Sequence, residues 1–215
     1  VRRLGTDAFG ILSIAWVLLG YMSLFDLGLS RATTKFVAEA LSNGDHHKIP
    51  SLLWTSICFQ LLFGMLGGFL LAGNAHLLAE RILRVPIPLI AETERGFLFL
   101  AIAVPIVLIT NSLRGVLEAM QQFDLINYSK TPTNVLMFLS PFLLLPLGGR
   151  LSSLILLMTF FRFAAMLVYL KVCCSQLRRV GLRLTFERRV LSQLLKYGGW
   201  VTVSNAVGPL LIYAD

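Results

Sequence analysis

The sequence is poor in charged residues, in acidic residues above all, and in cysteine. Only 14% of its 215 residues are charged, and 11 Asp and Glu stand against 19 Lys and Arg. Soluble domains carry about 25% charged residues, so the composition excludes an ordinary soluble protein. The three cysteines, Cys58, Cys173 and Cys174, have neither the spacing of a disulfide framework nor that of a metal site.

Motifs for several enzyme and pump chemistries are also missing. The sequence has no GxxxxGKS phosphate-binding loop, no DxD pair in a connection and no nucleophile beside a base. The histidines at 46, 47 and 76 lie in or beside connections, and no connection is long enough to form a catalytic domain. We therefore expect no enzyme activity, no metal, no cofactor and no nucleic-acid partner.

Apolar runs of membrane length are abundant. Hydrophobic residues make up 56% of the chain and the mean hydropathy is +0.77, and a run of about 18–25 apolar residues crosses the hydrocarbon core as a helix. The predicted spans are residues 8–27, 51–73, 96–113, 131–149, 151–171 and a partial span from 198. This pattern predicts an all-α, polytopic transmembrane helix bundle.

Lys and Arg are divided unevenly between the two ends of these spans. Eleven lie at one end and six at the other. The heavier side is predicted to be cytoplasmic, because positively charged loops resist translocation. The N-terminus then lies outside, so a complete protein with a cytoplasmic start would need one more helix before Val1.

Arg162, in MTFFRFAAML, lies in the middle of its span, about 12 Å from Leu170 by helix rise. A central arginine is costly in lipid, so such residues face a bundle interior or a watery cavity. Two interpretations stay open: a cation of a substrate cavity, which we favour, and a structural ion pair with a carboxylate of a neighbouring span.

Asp26 ends the first apolar run, in SLFDLGLSR. It is the candidate partner of Arg162, a proton or cation site in its own right, or a carboxylate solvated at the interface. If the helix continues through this motif, Asp26 and Arg31 share one long helix and Asp26 caps no N-terminus. Arg114 and Glu118 are four residues apart, the spacing of a same-face ion pair.

Three segments resemble a known family. LGTDAFGILSIAWVLLGYMSLFDLGLSRATTKFVAEALSNGD, LRGVLEAMQQFDLINY and LLKYGGWVTVSNAVGPLLIYAD are similar to the Wzx-type O-antigen and oligosaccharide flippases of the MOP superfamily. The resemblance implies a protein of two pseudo-symmetric lobes. Residues 1–180 would be the N-terminal lobe without its first helix, 181–197 a cytoplasmic amphipathic linker, and 198–215 the start of the second lobe.

The resemblance also implies a substrate, an undecaprenyl-diphosphate-linked oligosaccharide. Such a lipid would be flipped across the bacterial inner membrane by alternating access, for polysaccharide synthesis. The physical reading then makes Arg162, Arg31 and Lys35 the cavity cations that meet the diphosphate, with Asp26 in gating or ion coupling. Membrane lipids are the other expected partner.

Other functions remain open. A multidrug or cation antiporter of the MATE type would share the architecture but would want an acidic, aromatic cavity. A membrane enzyme acting on the same lipid carrier would need a large external loop, which these residues lack. A non-transporting anchor would leave Arg162 unexplained.

Overall fold

The structure, a computed structural model, describes Gly10, Ser13 and residues 26–83, 85–144, 151–177 and 187–212. In these ranges the chain forms an all-α membrane helix bundle, as the sequence predicts. We label the long helices α1 (Leu29–Ser42), α2 (Ile49–Gly73), α3 (Ile87–Ala119), α4 (Phe123–Leu144), α5 (Leu151–Leu177) and α6 (Arg188–Ile212).

Three segments of the described chain are long and apolar enough to cross a membrane: His46–Gly73, Ile87–Ala119 and Ser152–Leu177. They confirm the predicted spans 51–73, 96–113 and 151–171, and each helix continues beyond the apolar run. The predicted span 8–27 lies almost entirely outside the described residues. Helix α4 covers the predicted span 131–149 as far as Leu144, and residues 145–149 lie outside the described residues.

Helix α3 is the centre of the bundle. At 33 residues it is about 50 Å long, and it packs against α1, α2, α4 and α5. Leu100, Leu108 and Leu117 on this helix are fully buried. Proline removes one helix hydrogen bond, yet α3 continues through Pro105 as one helix.

Two glycines let α2 approach α3 closely. A Cβ built on Gly64 would lie 2.5 Å from the Cα of Pro105, and one on Gly68 would lie 2.6 Å from the carbonyl oxygen of Ala101. Any side chain at either position would therefore separate the helices. Small residues four apart serve the same close packing in many membrane proteins.

The turn that leads from α2 to α3 is held by His76. Its Nδ1 lies 2.5 Å from Oε1 of Glu94 on α3, and its Nε2 lies 3.1 Å from Oε2 of Glu80 in the π-helical segment Leu78–Ile82. The hydrogen bond to Glu94, followed by the charges of the two carboxylates, raises the pKa of His76. While the two glutamates are ionised, this charged contact is therefore fully present below the usual pKa of histidine and is lost as the pH rises through the raised pKa of His76.

The first half of α6 is attached to α1. Nζ of Lys35 lies 4.2 Å from the ring centroid of Tyr197, and a Cβ on Gly198 would lie 2.6 Å from the carbonyl oxygen of Leu27. Leu194 is fully buried between the two elements. One continuous helix thus includes part of the predicted linker and part of the predicted second lobe, and the division of the chain stays a prediction.

The sidedness of the bundle can be tested at the two ends of α2. His47 and Asn74 are both exposed, and the Lys/Arg distribution predicts that His47 is cytoplasmic. In a full-length protein without native cysteines, we expect a membrane-impermeant maleimide to label Asn74→Cys in intact cells. It should label His47→Cys only after permeabilisation. The reverse labelling pattern would show that the predicted topology is wrong.

Candidate functional site

A polar cavity lies between α3, α4 and α5 and is open on one side, where Lys130 and Asn134 are exposed. Its volume is about 150 Å³. It is lined by the three basic residues Arg114, Lys130 and Arg162, by the polar residues Thr110, Asn111, Thr133, Asn134 and Tyr169, and by Val107, Met137 and Ala165. We call it the cationic cavity, because its lining contains three cations and no carboxylate.

Arg162 reaches this cavity from the middle of α5. It lies 11 residues after Leu151 and 15 before Leu177, about 16 Å and 22 Å from the helix ends. Its Nε is buried and has no hydrogen-bond partner, and no ion pair found among the described residues includes Arg162. Among the described residues, Arg162 therefore has no carboxylate partner with which to form a structural ion pair.

Arg114 and Glu118 form an ion pair at the edge of the cavity. Nε of Arg114 lies 3.0 Å from Oε1 of Glu118, and both side chains are 37% exposed. The N–H at Nε of Arg114 is not aligned with this oxygen, so the contact is an ion pair without a hydrogen bond at Nε. Glu118 does not line the cavity, so it lowers the net charge nearby without placing an oxygen inside.

Asp26 has other partners. The chain turns through left-handed backbone at Leu27 (φ 49°) and Gly28 (φ 68°), so α1 begins afresh at Leu29. The alternative in which one helix runs through this motif, with Asp26 capping nothing, is therefore excluded. Oδ2 of Asp26 accepts a 2.9 Å hydrogen bond from the backbone N–H of Ser30, in the first turn of α1.

A seam of buried polar side chains continues from Asp26 into the bundle. Nε2 of Gln60 on α2 donates to Oδ1 of Asp26. One turn away on α2, the hydroxyl of Ser56 lies 2.6 Å from that of Ser112 on α3 and 2.9 Å from that of Thr33 on α1. The proposed pairing of Asp26 with Arg162 is therefore wrong, because Asp26 is bonded within this seam and does not line the cationic cavity.

The remaining predicted cations lie elsewhere. Arg31 and Lys35 are on the exposed face of α1, and the ammonium group of Lys35 lies over the rings of Tyr197 and Phe36. Neither residue lines the cationic cavity. Of the three predicted cavity cations, only Arg162 faces this space, and a role for Arg31 and Lys35 stays a prediction.

Sequence reasoning missed Lys130 as a site residue. The predicted span began at residue 131, which placed Lys130 in a connection. Helix α4 begins at Phe123, so Lys130 lies on its third turn, beside Thr133 and Asn134 at helical spacing. The polar residues of NYSKTPTN were the available signal. Gln60 was missed as well, although it is the one amide inside the predicted span 51–73.

The MatE family model matches residues 1–143. Over 214 residues the chain is 27% identical to the Shigella flexneri protein named "Putative O-antigen transporter", covering 100% of this chain and 50% of that protein. It is 26% identical over 98 residues to the "Uncharacterized membrane protein EpsK" of Bacillus subtilis strain 168, covering 46% of this chain and 19% of that protein. No solved structure matches the chain.

The chain thus spans about half the length of the Shigella relative. The family match covers 143 of its 215 residues, and the membrane helices of the bundle agree with it. The chain belongs to the MatE family of multi-pass membrane transporters.

Proposed function

We propose that the protein to which this chain belongs flips an oligosaccharide linked to undecaprenyl diphosphate across the bacterial inner membrane. The observation that carries this proposal is the cationic cavity, whose lining contains three basic side chains and no carboxylate. A cavity of this charge suits an anion. The guanidinium group of arginine presents its N–H donors as a rigid fork, which can bind two oxygens of a phosphate group. The relative named as an O-antigen transporter supports the same class of substrate.

The size of the cavity limits what part of the substrate enters. Its volume of about 150 Å³ is below the roughly 300–1,000 Å³ of pockets that bury a drug-sized ligand. Such a space accommodates a phosphate-sized group and is too small to enclose an oligosaccharide. In this proposal the diphosphate reaches toward Arg162, while the sugar stays outside the three helices that form the cavity.

The alternative function is export of drug cations, which family membership alone allows. A cation would have to bind beside Arg162 and Lys130 without a compensating carboxylate in the lining. Like charges repel each other, and the repulsion grows where less water screens them, as at the buried Nε of Arg162. The sign of the cavity charge therefore favours the anionic substrate.

Reconstitution tests the two functions directly. The full-length transporter would be placed in vesicles that carry a labelled undecaprenyl-diphosphate oligosaccharide in one leaflet, and a lectin outside would report the fraction that crosses. A fluorescent organic cation would be tested in the same vesicles. We expect movement of the lipid-linked sugar only. Movement of the cation without the sugar would contradict the proposal.

A further inference from the structure

Asp26 sits in a partly completed hydrogen-bond arrangement. Its side chain is 7% exposed, and each of its oxygens accepts one N–H donor, from Gln60 and from Ser30. Gln60 is 1% exposed, and its Oε1 atom is buried without a hydrogen-bond partner. A buried acceptor that lacks a donor destabilises the folded state, so this orphaned oxygen marks a place where a donor is missing.

A proton on Asp26 would give this oxygen a donor once the amide turns, and the N–H₂ group would then take the place that Oε1 had. An amide can turn by about 180° and exchange its N–H₂ group and its oxygen. When Asp26 is ionised, Gln60 donates to Oδ1. When a proton from hydronium binds Oδ1, the turned amide accepts the new O–H through Oε1, and water is released. The Asp26–Gln60 contact is thus compatible with both charge states.

A metal cation fits this place poorly. The backbone N–H of Ser30 points at the carboxylate whichever way the amide of Gln60 is turned, and its positive end would repel a cation. No group of three or more His, Cys, Asp and Glu residues in the described ranges could hold a metal ion. The contacts therefore favour a proton.

The site also lies where α1 meets α6. The N–H of Ser30 is one of the first N–H groups of α1, which have no partner within the helix, and Asp26 supplies its acceptor. Gly28, two residues after Asp26, lies against the backbone of Gly198 on α6. Neutralising Asp26 removes its attraction for the positive end of α1.

We propose that Asp26 and Gln60 form a proton-binding site, in which the amide of Gln60 turns as Asp26 is protonated and the N-terminus of α1 loosens against α6. Its part in a transport cycle rests on the proposed function, whereas proton binding itself does not. The charge of Arg114 on α3, whose partner is Glu118, acts on Asp26. The other elements packed at this site carry Arg31 on α1 and Lys196 on α6. Helix α2 carries no charged residue.

Infrared difference spectroscopy of the full-length transporter tests proton binding. On acidification we expect a carboxylic-acid C=O band that is absent in Asp26→Asn and retained in Asp45→Asn. Asp45 is the control, because it is paired with Lys48 outside the predicted spans. Gln60→Met should shift the frequency of the band, since the protonated acid then loses its acceptor. An unchanged band in Gln60→Met, or a band that survives in Asp26→Asn, would refute the site.

Hydrogen exchange tests the loosening. After correction for the intrinsic pH dependence, the amide of Ser30 should exchange about tenfold faster at acidic pH, because a charged acceptor has become neutral. In Asp26→Asn the corrected rate should not depend on pH. If the exchange rate of the Ser30 amide depends on the sodium concentration and not on pH, the site binds a metal cation and the proposal is wrong. Neither measurement needs a transported substrate, so each can fail independently of the flippase proposal.

Discussion

Replacing Arg162 by alanine is expected to abolish transport of the lipid-linked sugar in the full-length protein. Truncating one partner of a buried charge pair costs about 2–5 kcal/mol, which corresponds to a loss of about 30-fold or more in the flipping rate. The protein should remain folded, because Arg162 has no carboxylate partner among the described residues whose loss would destabilise the bundle. The lectin assay in vesicles measures the rate.

Two variants make this result specific. Arg162→Lys should keep part of the activity, because lysine retains the charge but loses the fork geometry. Lys171→Ala removes an exposed cation from the same helix and should leave the rate unchanged. A wild-type rate in Arg162→Ala would contradict the assignment. So would a misfolded Arg162→Ala that recovers stability and transport once a carboxylate elsewhere is also removed.

The second large effect is expected at the contact between α2 and α3. Alanine at both Gly64 and Gly68 would place two Cβ atoms within 2.6 Å of α3 backbone atoms, so the helices must separate. Overpacking costs about 1–3 kcal/mol per site, against a total stability of about 5–15 kcal/mol. We expect a clear fall in Tm and in the fraction of monodisperse protein in detergent.

Gly67 provides the matched control for this experiment. It lies between the two contact positions, and a Cβ there would meet the Cγ1 of Val104 at 3.5 Å, an ordinary van der Waals distance. Gly67→Ala should therefore leave Tm close to that of the wild type. Equal Tm values for Gly67→Ala and the double variant would show that α2 and α3 do not approach as closely as the structure describes.

The apolar centres of the helices were predictable, whereas their ends were not. Run length alone identified residues 51–73, 96–113 and 151–171 as spans, because apolar side chains have no other low-energy environment. Polar residues were interpreted as helix ends, yet α3 continues through Arg114 to Ala119 and α4 begins before Lys130. A helix satisfies its own backbone hydrogen bonds wherever it runs, so polarity does not end it.

The candidate site was only partly predictable for a different reason. The cost of a charge in the middle of a span identified Arg162 from its own position, without knowledge of the residues that surround it. Its companions Arg114 and Lys130 lie 48 and 32 residues away in the chain, and only packing brings them together. The break after Asp26 depends on left-handed backbone at Leu27 as well as Gly28, and leucine rarely adopts that conformation.

The charge of the cationic cavity has an electrical consequence for the proposed cycle. With Arg114 neutralised by Glu118, the empty cavity contributes two positive charges, from Lys130 and Arg162, and the two negative charges of a diphosphate diester cancel them. The loaded transporter would then reorient almost independently of membrane voltage. The empty transporter would move its two positive charges across part of the membrane potential. Moving one charge across the whole potential changes the free energy by about 2.3 kcal/mol per 100 mV. A membrane that is negative inside would draw the empty cavity back toward the cytoplasm, so voltage would act on the return of the transporter rather than on the passage of its cargo.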